Sequence, residues 1–283
     1  MNFRDFLKEN TVLLDGAMGT MLQSAGLKGG QLPELYNITH AETVRDIHKQ
    51  YVLAGSDVVS ANTFGANALK LKDSGYTVEQ IITAALQNAA ASGAKYVALD
   101  LGPTGQLLEP YGDVSADEIK AVYRQSILAG AAAGADLILF ETFADLNEMC
   151  AAVAAAKECC GLPVICSFSY ESVGRTFMGV SPAGAAGELE TLGIDGIGAN
   201  CSLGPAALLP VVKEILASTR LPVMIQANAG LPQMRDGETV YDIAAGEYAQ
   251  YAVQMCGMGV RLLGGCCGTT PQHIAAIKEI LQK

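Results

Sequence analysis

The chain has 283 residues, half of them hydrophobic, and a formal net charge of -11. That balance argues against a general affinity for nucleic acid or anionic membrane, since both need clustered Lys and Arg to neutralise phosphate. No segment approaches the roughly 20 uninterrupted apolar residues of a membrane span, and the opening MNFRDFLKEN has no apolar signal run. The expectation is a soluble, cytoplasmic protein acting on small molecules or on a protein partner. Its 8 cysteines are too sparse for a disulfide scaffold and read as reduced thiols, available for metal binding or catalysis.

Taken in order, short β-branched runs begin at Val12 (VLLDG), Ser56 (SDVVSANTF), Tyr96 (YVALDLG), Ala135 (ADLILFETF), Leu162 (LPVICSFSY), Gly193 (GIDGIGANC), Leu221 (LPVMIQANAG) and Val260 (VRLLGGCCG). A longer Ala-rich stretch of helical periodicity follows each one. Eight such units in one chain of this length predict a single-domain α/β fold, a (β/α)8 TIM barrel, which typically takes about 250 residues. An open doubly wound sheet would usually carry GxGxxG after its first strand, and DGAMGT lacks that spacing. Two long connections, Gln23 to Thr39 and Gly230 to Gly246, each follow a strand and should lie at the catalytic rim.

A polar residue ends nearly every strand: Asp15, Asn62, Asp100, Glu141, Ser167 or Ser169, Asn200 with Cys201, Asn228, and Cys266 with Cys267. In a barrel these ends converge on one mouth and become neighbours around a pocket. Any single Asp or Asn could instead cap the helix that follows it. Three cysteines at two adjacent strand ends are harder to explain as caps. Cys201, Cys266 and Cys267 offer three soft thiolates in the manner of a catalytic zinc site, which leaves a fourth position open. Cys159 and Cys160 read as ordinary packing near a helix end, and Cys150, Cys166 and Cys256 as core. None of His40, His48 and His273 ends a strand, so they read as helix-surface or capping residues, and a hydrolase with a His base is disfavoured.

The motifs DGAMGT, ANTFGAN, DLGPTG, FETF, GANCSLGP, ANAG and GGCCGTTP stand here in the order typical of the homocysteine S-methyltransferase family, which the whole chain resembles. It looks most like the homocysteine-binding N-terminal module of cobalamin-dependent methionine synthase, because GGCCGTTP continues past the Cys pair as it does there. Ala227, where relatives often have Pro, is a departure affecting loop shape. The resemblance implies one homocysteine-binding barrel over 1–283, with Cys201, Cys266 and Cys267 as ligands of Zn2+. It also implies that Glu141 receives the amino group of homocysteine, that Asp15 and the backbone at Gly16 help hold the amino-acid end, and that Asn228 serves as a weak fourth ligand before substrate arrives. Asn62 and Asn200, from the ring of strand ends, complete the expected substrate-binding set. The implied donor is methylcobalamin on a separate corrinoid module or protein. S-methylmethionine, S-adenosylmethionine or betaine as donor, a different thiol acceptor, and a non-catalytic zinc- or thiol-binding module are the alternatives.

Overall fold

Side chains alternate across a strand, so a strand buried on both faces sends every second residue to the barrel axis and the others to the helices. In the computed structural model, which describes residues 1–235 and 238–282, Tyr96 and Ala98 join a core inside the barrel while Val97, Leu99 and Leu101 pack outward. Leu137 and Leu139 point inward in the same way, and Ile138 and Phe140 outward.

The strands are β1 (Val12–Leu13), β2 (Val58–Ser60), β3 (Tyr96–Leu101), β4 (Leu137–Phe143), β5 (Val164–Phe168), β6 (Gly196–Asn200), β7 (Val223–Ala227), β8 (Gln233–Arg235), β9 (Glu238–Val240) and β10 (Leu262–Gly265). Eight of them pair in parallel in the order β1-β10-β7-β6-β5-β4-β3-β2, while β8 and β9 form a separate antiparallel hairpin. This is the (β/α)8 barrel that the sequence predicts, with all eight expected strands in place. Its seam lies between β1 and β2, which share no ladder. Asp57 N donates to Leu13 O at 2.7 Å, Leu13 N donates to Asp57 Oδ2 at 3.1 Å, and the Asp15 carboxylate reaches across to Ser60.

The helices are α1 (Phe3–Glu9), α2 (Met18–Ser24), α3 (Tyr36–Thr39), α4 (Ala41–Ala54), α5 (Val78–Ala90), α6 (Ala116–Ala132), α7 (Leu146–Cys159), α8 (Pro182–Thr191), α9 (Pro205–Ser218), α10 (Ala245–Met258) and α11 (Pro271–Leu281). Phe3, Phe6 and Leu7 of α1 insert into the interior core. The Arg261 guanidinium holds that helix in place by donating to the carbonyls of Leu7, Lys8 and Asn10.

Helix starts are capped by Thr77, Ser115, Asp145 and Ser181, each accepting from a backbone N–H of its own first turn. The strand-end Asp and Asn residues are therefore released for other work. His40 and His273 sit at helix starts as expected, with His273 in a capping box with Thr270. His48 corrects the sequence reading: it is fully buried on the inner face of α4, and neither ring nitrogen has a hydrogen-bond partner.

Candidate active site

The inward parity that builds the core continues past the last apolar layer, so Ser60, Asp100, Glu141, Ser167, Asn200 and Gln226 fall on the axis side of their strands. At this end lies a part-enclosed cavity of about 260 Å3. Its lining includes Asp15, Gly16, Asn62, Glu141, Cys201, Cys266 and Cys267 from the predicted set. Gly16 approaches so closely that a Cβ there would stand 2.7 Å from Thr269 Oγ1 and 2.9 Å from the Tyr51 ring.

The sulfurs of Cys201, Cys266 and Cys267 all lie within 4.8 Å of one another, and the Cys201 and Cys267 sulfurs are 3.8 Å apart. One detail of the sequence reading changes: the cysteine-bearing strands β6 and β10 are not neighbours, because β7 lies between them. Cys201 N donates to Gln226 O and Cys266 N to Ala227 O, so the end of β7 carries both sides of the cluster. Hydrogen bonds from Cys266 and Cys267 pull the Cys201 thiol down to about 3, and sharing with Cys201 pushes both neighbours up.

The backbone here is strained. Among the described residues the non-glycine positions with positive φ are Thr142 at 65°, Cys201 at 60° and Ser202 at 54°, a region that costs such residues on the order of 1 kcal/mol or more each. Register between β4 and β5 also shifts between Phe140 and Phe143, turning Glu141 and Thr142 toward the cavity.

Carboxylates dominate the remaining polar lining. Asp15, Glu34, Asp100 and Glu141 all face the cavity, with no Lys, Arg or His among its described lining residues. Burial raises Asp15 to about 7, and burial with the charges of Cys201 and Asp15 raises Glu141 to about 8. Asp100 is driven well up by burial and by Glu141, Asp15 and Glu34. Four buried acceptors at this end lack partners: Glu34 Oε2, Asp100 Oδ1, Gln226 Oε1 and Asn228 Oδ1. Unpaired buried acceptors are costly, so the arrangement suits a ligand that brings N–H donors or positive charge.

Asn62 and Asn200 have work inside the protein. Asn62 Nδ2 donates to Pro33 O at 2.8 Å and Asn37 Nδ2 donates to Asn62 O at 2.7 Å, which bolts the 23–39 connection to the rim. Asn200 lies beneath the cavity and is bonded throughout to protein groups. Asn228 is buried and hydrogen-bonds Cys201. Sequence reasoning missed Glu34, delivered by a turn of 3-10 helix at Pro33–Leu35 and held by Gly65 N at 2.6 Å. It also missed Gln226 and Tyr241, whose hydroxyl hydrogen-bonds Cys267 and whose ring lies against Gly268. Within the 230–246 connection, Asp236 and Gly237 lie outside the described residues.

Three clustered thiols beside a buried amide oxygen without a partner fit a soft divalent cation with room for one further ligand. The homocysteine S-methyltransferase family model matches residues 12–281. The chain belongs to the homocysteine S-methyltransferase family. Within that family it is 33% identical to a methionine synthase of Mycobacterium tuberculosis and 32% identical to one of Mycobacterium leprae, over 96% of its own length in each case. It spans about a quarter of the length of these curated relatives (25% and 24%). Its fold matches the metallated homocysteine methyltransferase MmuM from Escherichia coli with a TM-score of 0.84 at 24% identity, covering 98% and 99% of the two chains.

Proposed function

We propose that this homocysteine S-methyltransferase family member methylates the thiol of homocysteine to give methionine, using zinc held by Cys201, Cys266 and Cys267 and a methyl group from methylcobalamin on a separate corrinoid module or protein. One observation carries the reading: a single cavity joins three clustered thiols to a carboxylate wall with no Lys, Arg or His among its described lining residues. Homocysteine has a sulfur for the first feature and an ammonium for the second.

Zinc bound there would keep the substrate sulfur as a thiolate at neutral pH, where a free thiol of pKa near 8.5 is only a few per cent ionised. Glu141 receives the ammonium, whose charge favours the ionised carboxylate that burial otherwise disfavours. Asp15 and Asp100 extend the wall of carboxyl oxygens that can accept from the ammonium, and Gly16 lets the backbone approach the amino-acid end. Pro33, Phe64 and Met18 supply an apolar side that excludes water from the methylene chain. The substrate sulfur forms its bond to the methyl carbon as the bond from methyl to donor breaks, with the bonding pair leaving on the donor. Methionine, a thioether, has no charged sulfur to keep it in place.

A cavity of about 260 Å3 falls below the usual range for drug-sized ligands, so a corrinoid would stay outside and present only its methyl group at the mouth. Betaine is disfavoured as donor, because quaternary ammonium groups are recognised by aromatic cages and Phe64 is the sole aromatic residue among the described lining. S-methylmethionine and S-adenosylmethionine are the competing donors. A thiol one methylene shorter is separated by only about 1 to 3 kcal/mol. We place the reaction in the reducing cytoplasm, where the thiols, all free in this fold, persist.

The test is elemental analysis of reduced wild type and Cys266→Ser, with homocysteine methylation assayed separately with methylcobalamin, S-methylmethionine and S-adenosylmethionine. One zinc per chain, lost together with methylcobalamin-dependent turnover in the variant, is the expected result. Zinc with turnover only on a sulfonium donor reassigns the donor. Zinc with no turnover on any donor favours a non-catalytic binding module.

A further inference from the structure

We propose that Asn200 is a positioning residue that couples the substrate's ammonium to the metal ligand Cys266, by sharing one N–H between Glu141 and the Cys266 sulfur. The proposal rests on the reading above, in which Glu141 takes the ammonium and the cysteines take the metal. Asn200 ends β6 and is wholly buried. The backbone N–H of Thr142 can only donate, and it meets Asn200 Oδ1 at 2.9 Å, which fixes the orientation of the amide. Ser167 Oγ donates to the same oxygen at 2.7 Å.

The amide nitrogen therefore faces Thr142 Oγ1 at 2.7 Å, Glu141 Oε2 at 3.4 Å and Cys266 Sγ at 3.9 Å. It carries two hydrogens for these three acceptors. Thr142 takes one in a short bond, and the other is left between Glu141 and Cys266, at distances too long for a strong bond to either. An ammonium docked on Glu141 brings three N–H donors of its own. The shared hydrogen is then free to turn to Cys266, where a bond to the thiolate lowers the charge that sulfur gives a metal. The metal in turn draws more strongly on the arriving substrate sulfur. One amide thus links recognition of the amino-acid end to the reactivity of the thiol end, and a thiol without an ammonium would not trigger the adjustment.

A merely structural Asn200 would prop Thr142 in its left-handed conformation and do nothing more. The two roles separate in the full chain loaded with cobalt(II), whose sulfur-to-metal charge-transfer band reports the charge on the thiolates. The probe is 2-aminobutyrate, which is homocysteine with hydrogen in place of its thiol, and butanoate is the control without an ammonium. We expect 2-aminobutyrate to move the band to shorter wavelength in the wild type and butanoate to leave it in place. Asn200→Asp keeps the acceptor for Thr142 and Ser167 but has no N–H, so it should lose the shift while calorimetry still shows 2-aminobutyrate bound. Asn200→Ser serves if the buried carboxylate prevents folding. Ser167→Ala breaks a bond to the same side chain's oxygen and should keep the shift. The proposal is overturned if the wild-type band stays put with 2-aminobutyrate bound, or if Asn200→Asp shifts as far as wild type. Absence of any charge-transfer band overturns the metal reading, and absence of 2-aminobutyrate binding overturns the ammonium reading, each taking the coupling with it.

Discussion

The Asp15 carboxylate accepts from Ser60 twice, from the backbone N at 2.8 Å and from Oγ at 3.1 Å, so a side chain joins the first strand of the barrel to the second where a ladder is missing. Ser60→Ala removes the hydroxyl bond alone and should cost about 1 kcal/mol, while Asp15→Ala strands the Ser60 N–H and should cost about 2 to 4 kcal/mol. Urea unfolding with unchanged m-values is the check, and equal losses in the two variants would refute the stitching role.

Metal removal should separate site from scaffold. The cysteines sit on the rim of a barrel whose cores are independently apolar, unlike a small domain that folds only around its metal. Chelation, like Cys201→Ser, should abolish metal binding and leave the far-ultraviolet circular dichroism and a cooperative thermal transition. Global unfolding on chelation would make the site structural.

Gly268 follows Cys267 and is tightly enclosed. It has φ of +80°, and a Cβ there would stand 2.1 Å from Tyr241 Cγ. Gly268→Ala should cost at least about 1 kcal/mol for the left-handed backbone. By displacing Tyr241 from Cys267 it should also weaken metal affinity about tenfold, the scale seen when a partner of a ligand is lost. Competition with a chromogenic chelator measures this. Combining the change with Tyr241→Ala should relieve the clash with the ring but leave both the backbone strain and the lost affinity in place.

The eight strands and the cysteine trio were legible because strand runs and thiols announce themselves in sequence. The roles of the strand-end polar residues were less so. Parity along each strand would have added Gln226 to the Asp100 and Glu141 already named, since each lies two residues beyond an inward apolar side chain. Parity does not reveal that Asn200 and Asn62 serve protein groups, because that depends on Thr142, Ser167, Pro33 and Asn37 arriving from elsewhere in the chain. Glu34 and Tyr241 come from connections without periodicity, and only the folded rim shows where they land. His48 was misread because a polar residue set among Asp46, Lys49 and Gln50 on α4 looks solvent-facing until the helix is placed against the barrel.

His48 gives a signed pH dependence. Burial lowers it from 6.5 to about 4, so the unfolded chain binds a proton that the fold refuses. The fold is unpenalised above pH 6.5 and loses stability as pH falls toward 4, by about 3 kcal/mol at most. Asp15, raised to about 7, acts in the opposite sense: its contribution is complete below about 4 and is lost as pH rises through 7. Measured against wild type, His48→Leu should therefore gain stability progressively from pH 6.5 to 4, and Asp15→Asn should gain from pH 4 to 7. A His48→Leu difference that is flat with pH would place the proton elsewhere.

The left-handed residues Thr142, Cys201 and Ser202 set heat resistance and chemistry against each other. A library of variants selected only for survival at high temperature would drift toward glycine at these three positions, since glycine alone accepts that backbone without strain. The hardiest survivors would have lost a sulfur from the cluster or the hydroxyl that steadies Asn200. Any effort to harden this barrel should therefore leave the ends of its fourth and sixth strands untouched and work on the outer helices.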